Sequence, residues 1–374
     1  YYAQREEMGF PWLENKEAEQ PAVVSLPTAE LADRADFLFE IGTEELPVSE
    51  LDKAIEQLQL GFETWLAEMR LEHDLLQVKG TPRRLTVMIK NLQTRQAERV
   101  VELKGPPADR AFDSEGKPTK VAEGFARSKG IDPNLLQAKA VEGGMYAVAE
   151  VHESGKAAAE LLPAALENLV RSIKFNKPMR WNESQVAFSR PIRWLMAMLG
   201  KYPIAFTYAN LDSQPETRGL RFGEPQHMEI VDPDGYFKYL TAQGIILDPV
   251  ERKNEILAQV LKLAGNIKGQ IHEDAALLDE VTNLVERPTA LLGRFDAEYL
   301  ALPREVLVTV MKKHQRYFPV VDAQSDELLP YFITVRNGDE QSLDVVREGN
   351  EDVLRARFAD AKFFYEHDTA RPLE

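Results

Sequence analysis

Two kinds of hydrophobic spacing organise the chain. Short apolar or alternating runs mark strands at Phe37–Ile41, broken by Gly42, at Arg84–Lys90 with Leu85, Val87 and Ile89 on one face, and at Met145–Val151 after the Gly143-Gly144 turn. Pro203–Ala209, His227–Val231, 318–321 and 330–336 read as further strands. Spacings of three and four residues mark helices. Leu51, Ile55, Leu58, Phe62, Leu66 and Met69 form one stripe, with Ser49 as its expected cap. Leu161, Leu162, Leu166, Leu169, Val170 and Ile173 form a second. Asp248-Pro249 supplies a cap and a proline at the first helical position. Ile256, Leu257, Val260 and Leu261 are the expected apolar face of that helix, and Gly265 its stop. Helices are also expected over 274–285, 303–314 and from Leu343 to Tyr365. Strands and helices mix without regular alternation, which predicts an α+β fold rather than a doubly wound sheet.

The first 36 residues differ from the rest. Tyr1, Tyr2, Phe10, Pro11 and Trp12 make an aromatic start, and 13–36 turns polar around Pro21 and Pro27. This predicts a docked end followed by a mobile linker. A chain beginning at Tyr1 rather than Met reads as cut from something longer. Its 374 residues exceed one compact domain, so two lobes are expected. The absence of cysteine excludes disulfide scaffolds, Cys-zinc sites, iron–sulfur clusters and thiol catalysis. No apolar run reaches membrane-spanning length, and no secretory signal is visible, so a soluble intracellular protein is expected.

The net charge of −16 is unfavourable for holding nucleic acid, but it is unevenly placed. Residues 79–95, 171–193 and 301–320 together carry 15 basic and 2 acidic side chains, a net of +13 that leaves −29 on the remainder. Such islands either converge on one polyanion-facing surface or stay scattered. The six histidines show no helical metal-site spacing, and HExxH, GxxxxGK[ST], GxGxxG and GxSxG are all missing. Glu44-Glu45 is the best carboxylate pair, readable as acid–base chemistry or as acids favouring a helix start.

Three motifs carry the basic chemistry. Gly80-Thr81-Pro82-Arg83-Arg84-Leu85 puts two guanidiniums beside a proline-fixed turn, suited to bidentate phosphate contacts or to a structural pair with Glu40 or Glu45. Met179-Arg180-Trp181 and Phe188–Leu195 interleave arginines with aromatics, suited to stacking plus phosphate neutralisation or to Arg–Trp core packing. Met311–Pro319 places Lys312, Lys313 and Arg316 at a helix end, where they can equally complement its dipole. The candidate nucleic-acid-binding residues are therefore Arg83, Arg84, Lys177, Arg180, Trp181, Arg190, Arg193, Lys312, Lys313 and Arg316.

Phe39–Pro47 resembles the opening of the β subunit of bacterial-type glycyl-tRNA synthetase. The resemblance runs colinearly through Gly80–Leu85, Lys104–Pro107, Gly124–Arg127, Met179–Trp181, Phe188–Leu195, Thr217-Arg218-Gly219, Glu286-Arg287-Pro288, Met311–Pro319, Gly349–Arg357 and Asp360–Phe364. Leu220 departs from it, since the family usually has His after Thr-Arg-Gly. Tyr1–Pro11 resembles the C-terminus of the α subunit of the same enzyme, as in a fused α–β chain.

The resemblance implies part of a glycine–tRNA ligase, a class II aminoacyl-tRNA synthetase that activates glycine with ATP and attaches it to tRNA(Gly). It implies no catalytic residue and no cofactor in this segment, with ATP and Mg2+ used by the α part. It also implies tRNA(Gly) and the catalytic α part as partners, a dimer of α–β units, no membrane, and a cytoplasmic or chloroplast-stromal location. The expected organisation is an α-subunit tail at 1–12, a linker at 13–36, an N-terminal lobe at 37–215, a second lobe at 216–342, and a helical lead at 343–374 into absent HD-type and anticodon-binding domains. A B3/B4-like region is expected within the body. Its role would be tRNA positioning and scaffolding, with hydrolytic editing or purely structural bracing as alternatives.

Overall fold

The computed structural model describes residues 31–370, apart from 114, 142 and 222–226. The aromatic start and the linker through residue 30 lie outside the described residues. Strand β1 (Arg34–Thr43), helix α1 (Val48–Met69), β2 (Leu75–Thr81) and β3 (Arg84–Gln93) come first. A module of β4 (Arg99–Pro107), α2 (Lys120–Lys129), β5 (Gln137–Val141) and β6 (Gly144–Glu153) follows. Helix α3 (Ala158–Ser172), β7 (Ile192–Leu199) and β8 (Tyr202–Pro203) return to the first sheet, whose antiparallel order is β2-β3-β1-β7-β8. The module forms its own sheet, β4-β6-β5.

The central strand is buried on both faces, and its alternation divides them. Phe37, Phe39 and Ile41 join the core under α1 and α3. Leu38 points the other way and packs with Met88, Met196 and Met198 against Tyr236, Tyr239 and Leu240 of helix α4 (Pro233–Ala242). Beyond it lie α5 (Pro249–Asn266), α6 (Ala275–Thr282), β9 (Pro288–Arg294), α7 (Arg304–Thr309), β10 (Phe318–Asp322), β11 (Leu328–Asn337) and α8 (Leu343–Thr369). Antiparallel pairing orders the second sheet as Gly269–Gln270, β10, β11, β9. Helices thus cover antiparallel sheets, in keeping with an α+β fold.

Glu40 shares the face of Leu38, so its carboxylate enters an otherwise apolar layer. Four buried donors surround it. Arg84 Nη1 at 3.1 Å and the Tyr236 hydroxyl at 3.0 Å reach Oε1. Trp194 Nε1 at 2.8 Å and Thr217 Oγ1 at 2.7 Å reach Oε2. Arg84 then reaches beyond the first sheet, donating through Nε to Glu286 Oε1 at 2.9 Å and through Nη2 to the Arg218 carbonyl at 2.9 Å. Thr81 Oγ1 also donates to Glu286 Oε1, at 2.6 Å. Burial opposes each charge, but Glu286 and Glu40 outweigh it and raise the Arg84 guanidinium above its ordinary range. Burial likewise opposes the Glu286 charge, and Arg84 and Arg83 prevail to hold that carboxyl below its ordinary value.

A second buried arginine crosses in the opposite direction. Arg252 of α5 donates to the carbonyls of Thr282, Ile246, Leu247 and, in β2 of the first sheet, Gly80 at 3.1 Å. With carbonyls as its hydrogen-bond partners, burial lowers its guanidinium to about 10. Lys79–Asp248 at 2.7 Å and Asn283–Asp52 at 3.0 Å extend this polar seam. Asp248 caps α5 as expected, accepting from Val250 N at 2.8 Å and Glu251 N at 3.3 Å.

Several expectations are corrected. Helix α1 starts at Val48 with Pro47 as its cap residue, because Glu50 N and Leu51 N bond the Pro47 carbonyl, and Ser49 makes no cap bond. The 203–209 strand breaks into Tyr202–Pro203 and Thr207–Tyr208, since Ala209 and Asn210 turn at φ 55° and 61° toward Leu211–Asp212. Leu257 and Leu261 lie outward on α5, whose buried face is Arg252, Ile256, Val260 and Ala264. The 303–314 helix changes at Val310 into a π-helical turn through Gln315, closed by Arg316 at φ 59°.

Two substitutions test this packing. Gly42 pairs with Arg84 on one side and Trp194 on the other, and an added Cβ would lie 1.8 Å from the Trp194 ring. Gly42→Ala should cost about 1–3 kcal/mol by overpacking. Gly124→Ala, in mid-α2 with nothing within 4 Å, should instead stabilise by roughly 0.5–1 kcal/mol. Urea midpoints check both, and equal shifts would contradict the assigned packing. Glu286→Gln should cost about 3–5 kcal/mol at neutral pH by leaving Arg84 under-compensated. A depressed carboxyl contributes stability above its unfolded pKa and loses it as pH falls through the folded one. The variant should therefore lose less stability than the parent on acidification below about pH 4.3.

Candidate nucleic-acid interface

The loop from β1 to α1 carries Glu44 and Glu45 past the open end of the first sheet. Its path is set by Thr43 N to the Arg83 carbonyl at 2.8 Å, Glu44 N to the Pro191 carbonyl at 3.0 Å and Leu46 N to the Pro82 carbonyl at 2.7 Å. Two basic motifs, distant in sequence, are thereby brought to one place. Trp194, 6% exposed, is covered by three guanidiniums, with Arg218, Arg84 and Arg83 at 5.1, 5.6 and 5.9 Å from its ring centroid.

Around that base stands a rim of arginines. Arg193 Nε lies 3.3 Å from Glu44 Oε1, and Arg221 Nη1 lies 3.8 Å from Glu44 Oε2 and 3.5 Å from Glu45 Oε1. Arg218 Nη2 donates to the Arg193 carbonyl at 3.2 Å, and Arg83 Nη1 to the Gly219 carbonyl at 3.3 Å. Burial and the neighbouring Arg193 charge push the Arg218 guanidinium below its ordinary value. Burial, with the adjacent Arg84 charge, does the same to Arg83 against the pull of Glu286. Arg221 also borders a cleft of about 700 Å³ lined by Glu45, Leu220, Arg287, Arg336 and Asp339 among others. The result is an arginine-rich face on an acidic chain.

The residues expected from sequence fall into four groups. Arg83 and Arg193 are brought together at the rim. Arg84 is wholly enclosed with both carboxylates, the geometry of the structural pair, so its side chain offers no surface to a ligand. The remainder of the second island lies on the loop closed by Met179 N and Phe188 O at 2.8 Å. There Lys177 is exposed, Arg180 donates to the Gln185 carbonyl, Arg190 donates to the Ser189 carbonyl, and Trp181 is half-buried against the first core. The third island sits at the end of the helical stretch that follows α7. Lys312 pairs with Asp274 at 2.8 Å, Arg316 pairs with Glu280 at 2.9 Å, and Lys313 is exposed.

Sequence reasoning missed Arg218, Arg221, Arg287 and Arg336, each outside the basic islands. Two of them stand within Thr217-Arg218-Gly219 and Glu286-Arg287-Pro288, so the motif residues were visible without their shared location. Among the described residues no three His, Asp or Glu side chains group closely enough to hold a metal ion. No described helix is long and apolar enough to cross a membrane.

The family described as glycyl-tRNA synthetase beta subunit matches residues 37–374. The glycine–tRNA ligase beta subunit of Desulforamulus reducens is 44% identical over 338 residues, covering 90% of this chain and 48% of the relative. The corresponding subunit of Listeria monocytogenes is 44% identical over 333 residues, covering 89% and 48%. The chloroplastic/mitochondrial glycine–tRNA ligase 2 of Arabidopsis thaliana is 41% identical over 376 residues, covering 99% and 35%. The chain thus spans about half the length of the bacterial relatives. With the family matched along almost the whole described fold, the chain belongs to the glycyl-tRNA synthetase beta subunit family.

Proposed function

We propose that this chain is the tRNA-positioning and scaffolding body of a glycine–tRNA ligase. The observation that carries the reading is the arginine face of Arg83, Arg193, Arg218 and Arg221, set in a chain of net charge −16. An acidic surface repels RNA over most of its area and leaves this face as the main contact. Lys177, Arg180, Trp181, Arg190 and Lys313 are secondary contacts, Lys312 and Arg316 are available once released from their carboxylates, and Arg84 serves the joint between lobes. The whole enzyme activates glycine with ATP and Mg2+ in the α part and transfers it to tRNA(Gly). The body comprises lobes at 37–215 and 216–342, includes a B3/B4-like region, and leads through 343–374 to HD-type and anticodon-binding domains.

The Arabidopsis match over 99% of the chain supports a fused arrangement in which 1–12 ends the α part and 13–36 links it to the β body. Units of this kind pair as dimers. Bacterial relatives favour the cytoplasm, and the plant relative's printed location favours the chloroplast stroma as the alternative.

The test uses the 374-residue chain and a tRNA(Gly) transcript. Binding should weaken with salt by a log–log slope of about 0.7–0.9 per phosphate contact, and the chain alone should give no glycine-dependent ATP–pyrophosphate exchange. Exchange activity would place catalysis within this chain. Absence of salt-dependent binding would leave structural bracing, and deacylation of Ala-tRNA(Gly) would establish editing.

A further inference from the structure

Glu44 lies against Arg193 and Arg221, its charge also acts on Arg83 and Arg218, and Glu45 touches only the outer edge through Arg221. The inner pair, Arg83 and Arg218, is sequestered. Arg83 is 8% exposed and lies 3.6 Å from Glu286, yet neither its Nε nor that of Arg218 has a hydrogen-bond partner. Two buried donors of this kind are costly unless an acceptor reaches them. The Glu44 carboxylate is held loosely. Its contacts to Arg193 and Arg221 are 3.3 and 3.8 Å, longer than a well-made charge-assisted bond, and its side chain is 35% exposed. By contrast, the loop backbone beneath Glu44 is pinned on both sides. The side chain can therefore swing away while the loop stays in place.

We propose that the Glu44 carboxylate occupies the position of an RNA backbone phosphate among Arg83, Arg193, Arg218 and Arg221, and that tRNA binds by displacing it. The proposal rests on the tRNA-binding reading above and adds the site and the competing group. A phosphodiester offers two anionic oxygens to planar guanidinium forks, a better match than one carboxylate at long range. The device makes the face self-neutralised until a polyanion arrives. It also disfavours small anions, which bring too few contacts to displace a tethered competitor. The phosphate would lie against Arg83, whose neighbour Arg84 joins the lobes through Glu286, so the contact falls at the lobe joint.

Replacing the tethered carboxylate has an unusual salt signature. In the parent, the Glu44 charge offsets part of the phosphate neutralisation that the arginines supply. In Glu44→Gln one more net positive charge faces the RNA, so about one more counterion leaves the RNA backbone on binding.

The experiment measures tRNA(Gly) transcript affinity for the full protein with its catalytic part, over about 50–200 mM KCl. Glu44→Gln should tighten binding about three- to tenfold at low salt and steepen the log–log salt slope by about 0.7–0.9. Arg193→Gln and Arg221→Gln should each weaken binding and make the slope shallower by about one. In Glu44→Gln/Arg193→Gln the gain from the first change should shrink, which reports direct coupling. Thermal unfolding midpoints, expected to match the parent for these exposed positions, separate binding from folding. Glu44→Gln with unchanged or weakened affinity and unchanged slope overturns the displacement. Arginine variants with parental affinity and slope, beside a parent that binds in a salt-dependent way, overturn the site while leaving the RNA-binding reading intact. A parent without salt-dependent binding removes that reading and the proposal together. Inorganic phosphate should compete no better than chloride at equal ionic strength, and strong competition would assign the site to a small phosphate instead.

Discussion

The Glu40–Arg84 ion pair constrains more of this structure than any other contact. A carboxylate placed at the middle of the central strand cannot stay ionised in an apolar layer without compensation, and water does not reach it. Arg84 supplies the charge, and Tyr236, Trp194 and Thr217 supply the remaining donors. Each partner comes from a different element, so α4, β7 and the Glu216–Arg218 strand must all be in register for the cluster to close. Arg84 has more donors than Glu40 can accept, and the surplus goes to Glu286, just before β9 of the second sheet. The two sheets thus share one buried charge network. Such a network contributes less net stability than its Coulomb energy implies, since desolvation offsets most of the attraction. Its contribution here is geometric: it fixes how the elements around Glu40 and Glu286 are placed.

The same network orients the surface above it. Trp194 lies against the backbone of Gly42 because no Cβ intervenes, and its indole N–H is tied to Glu40. The outer face of the ring then receives Arg218 and Arg83. The Glu44 loop departs two residues after Gly42 and is bonded to the backbones of Arg83 and Pro191. Rim geometry is therefore inherited from the core rather than left to surface loops. A change at Gly42 or Trp194 reaches the arginines through this stack.

Much of the fold was legible in spacing. The Leu51–Leu66 stripe, the alternation of Arg84–Lys90 and the Asp248-Pro249 start each reflect local rules, and each produced its element. Failures came where tertiary contacts decide. Leu257 and Leu261 have the right period, but Arg252 on the neighbouring face has buried carbonyl partners that fix which side turns inward. The 310–315 turn widens to a π-helix that buries Met311 while Lys312 pairs with Asp274, a demand no helical pattern encodes. The pair at Arg83-Arg84 was readable as a phosphate contact or as a structural pair, and the two arginines divide those roles between neighbours. Burial separates them: Arg84 points into the layer of Glu40, and Arg83 stays beside the rim. Arg218, Arg221, Arg287 and Arg336 escaped a search for local charge density because the fold, not the sequence, concentrates them.

The choice of cation follows the environment. The rim and the fully buried contacts use arginine, whereas lysine occurs in partly exposed pairs such as Lys79–Asp248, Lys90–Asp36 and Lys253–Asp279. A lysine placed beside Trp194 among like charges would lose its proton readily on burial. Guanidinium keeps its charge even where burial lowers it, as Arg252 does with carbonyl partners. It also stacks flat on indole while its edge donates elsewhere, which an ammonium cannot do. A half-buried surface that must remain cationic, stay soluble in an acidic protein and present planar donors to an anion has one residue type that meets all three demands. The four arginines around Glu44 are that solution, and the carboxylate among them limits the charge the surface shows before an anion arrives.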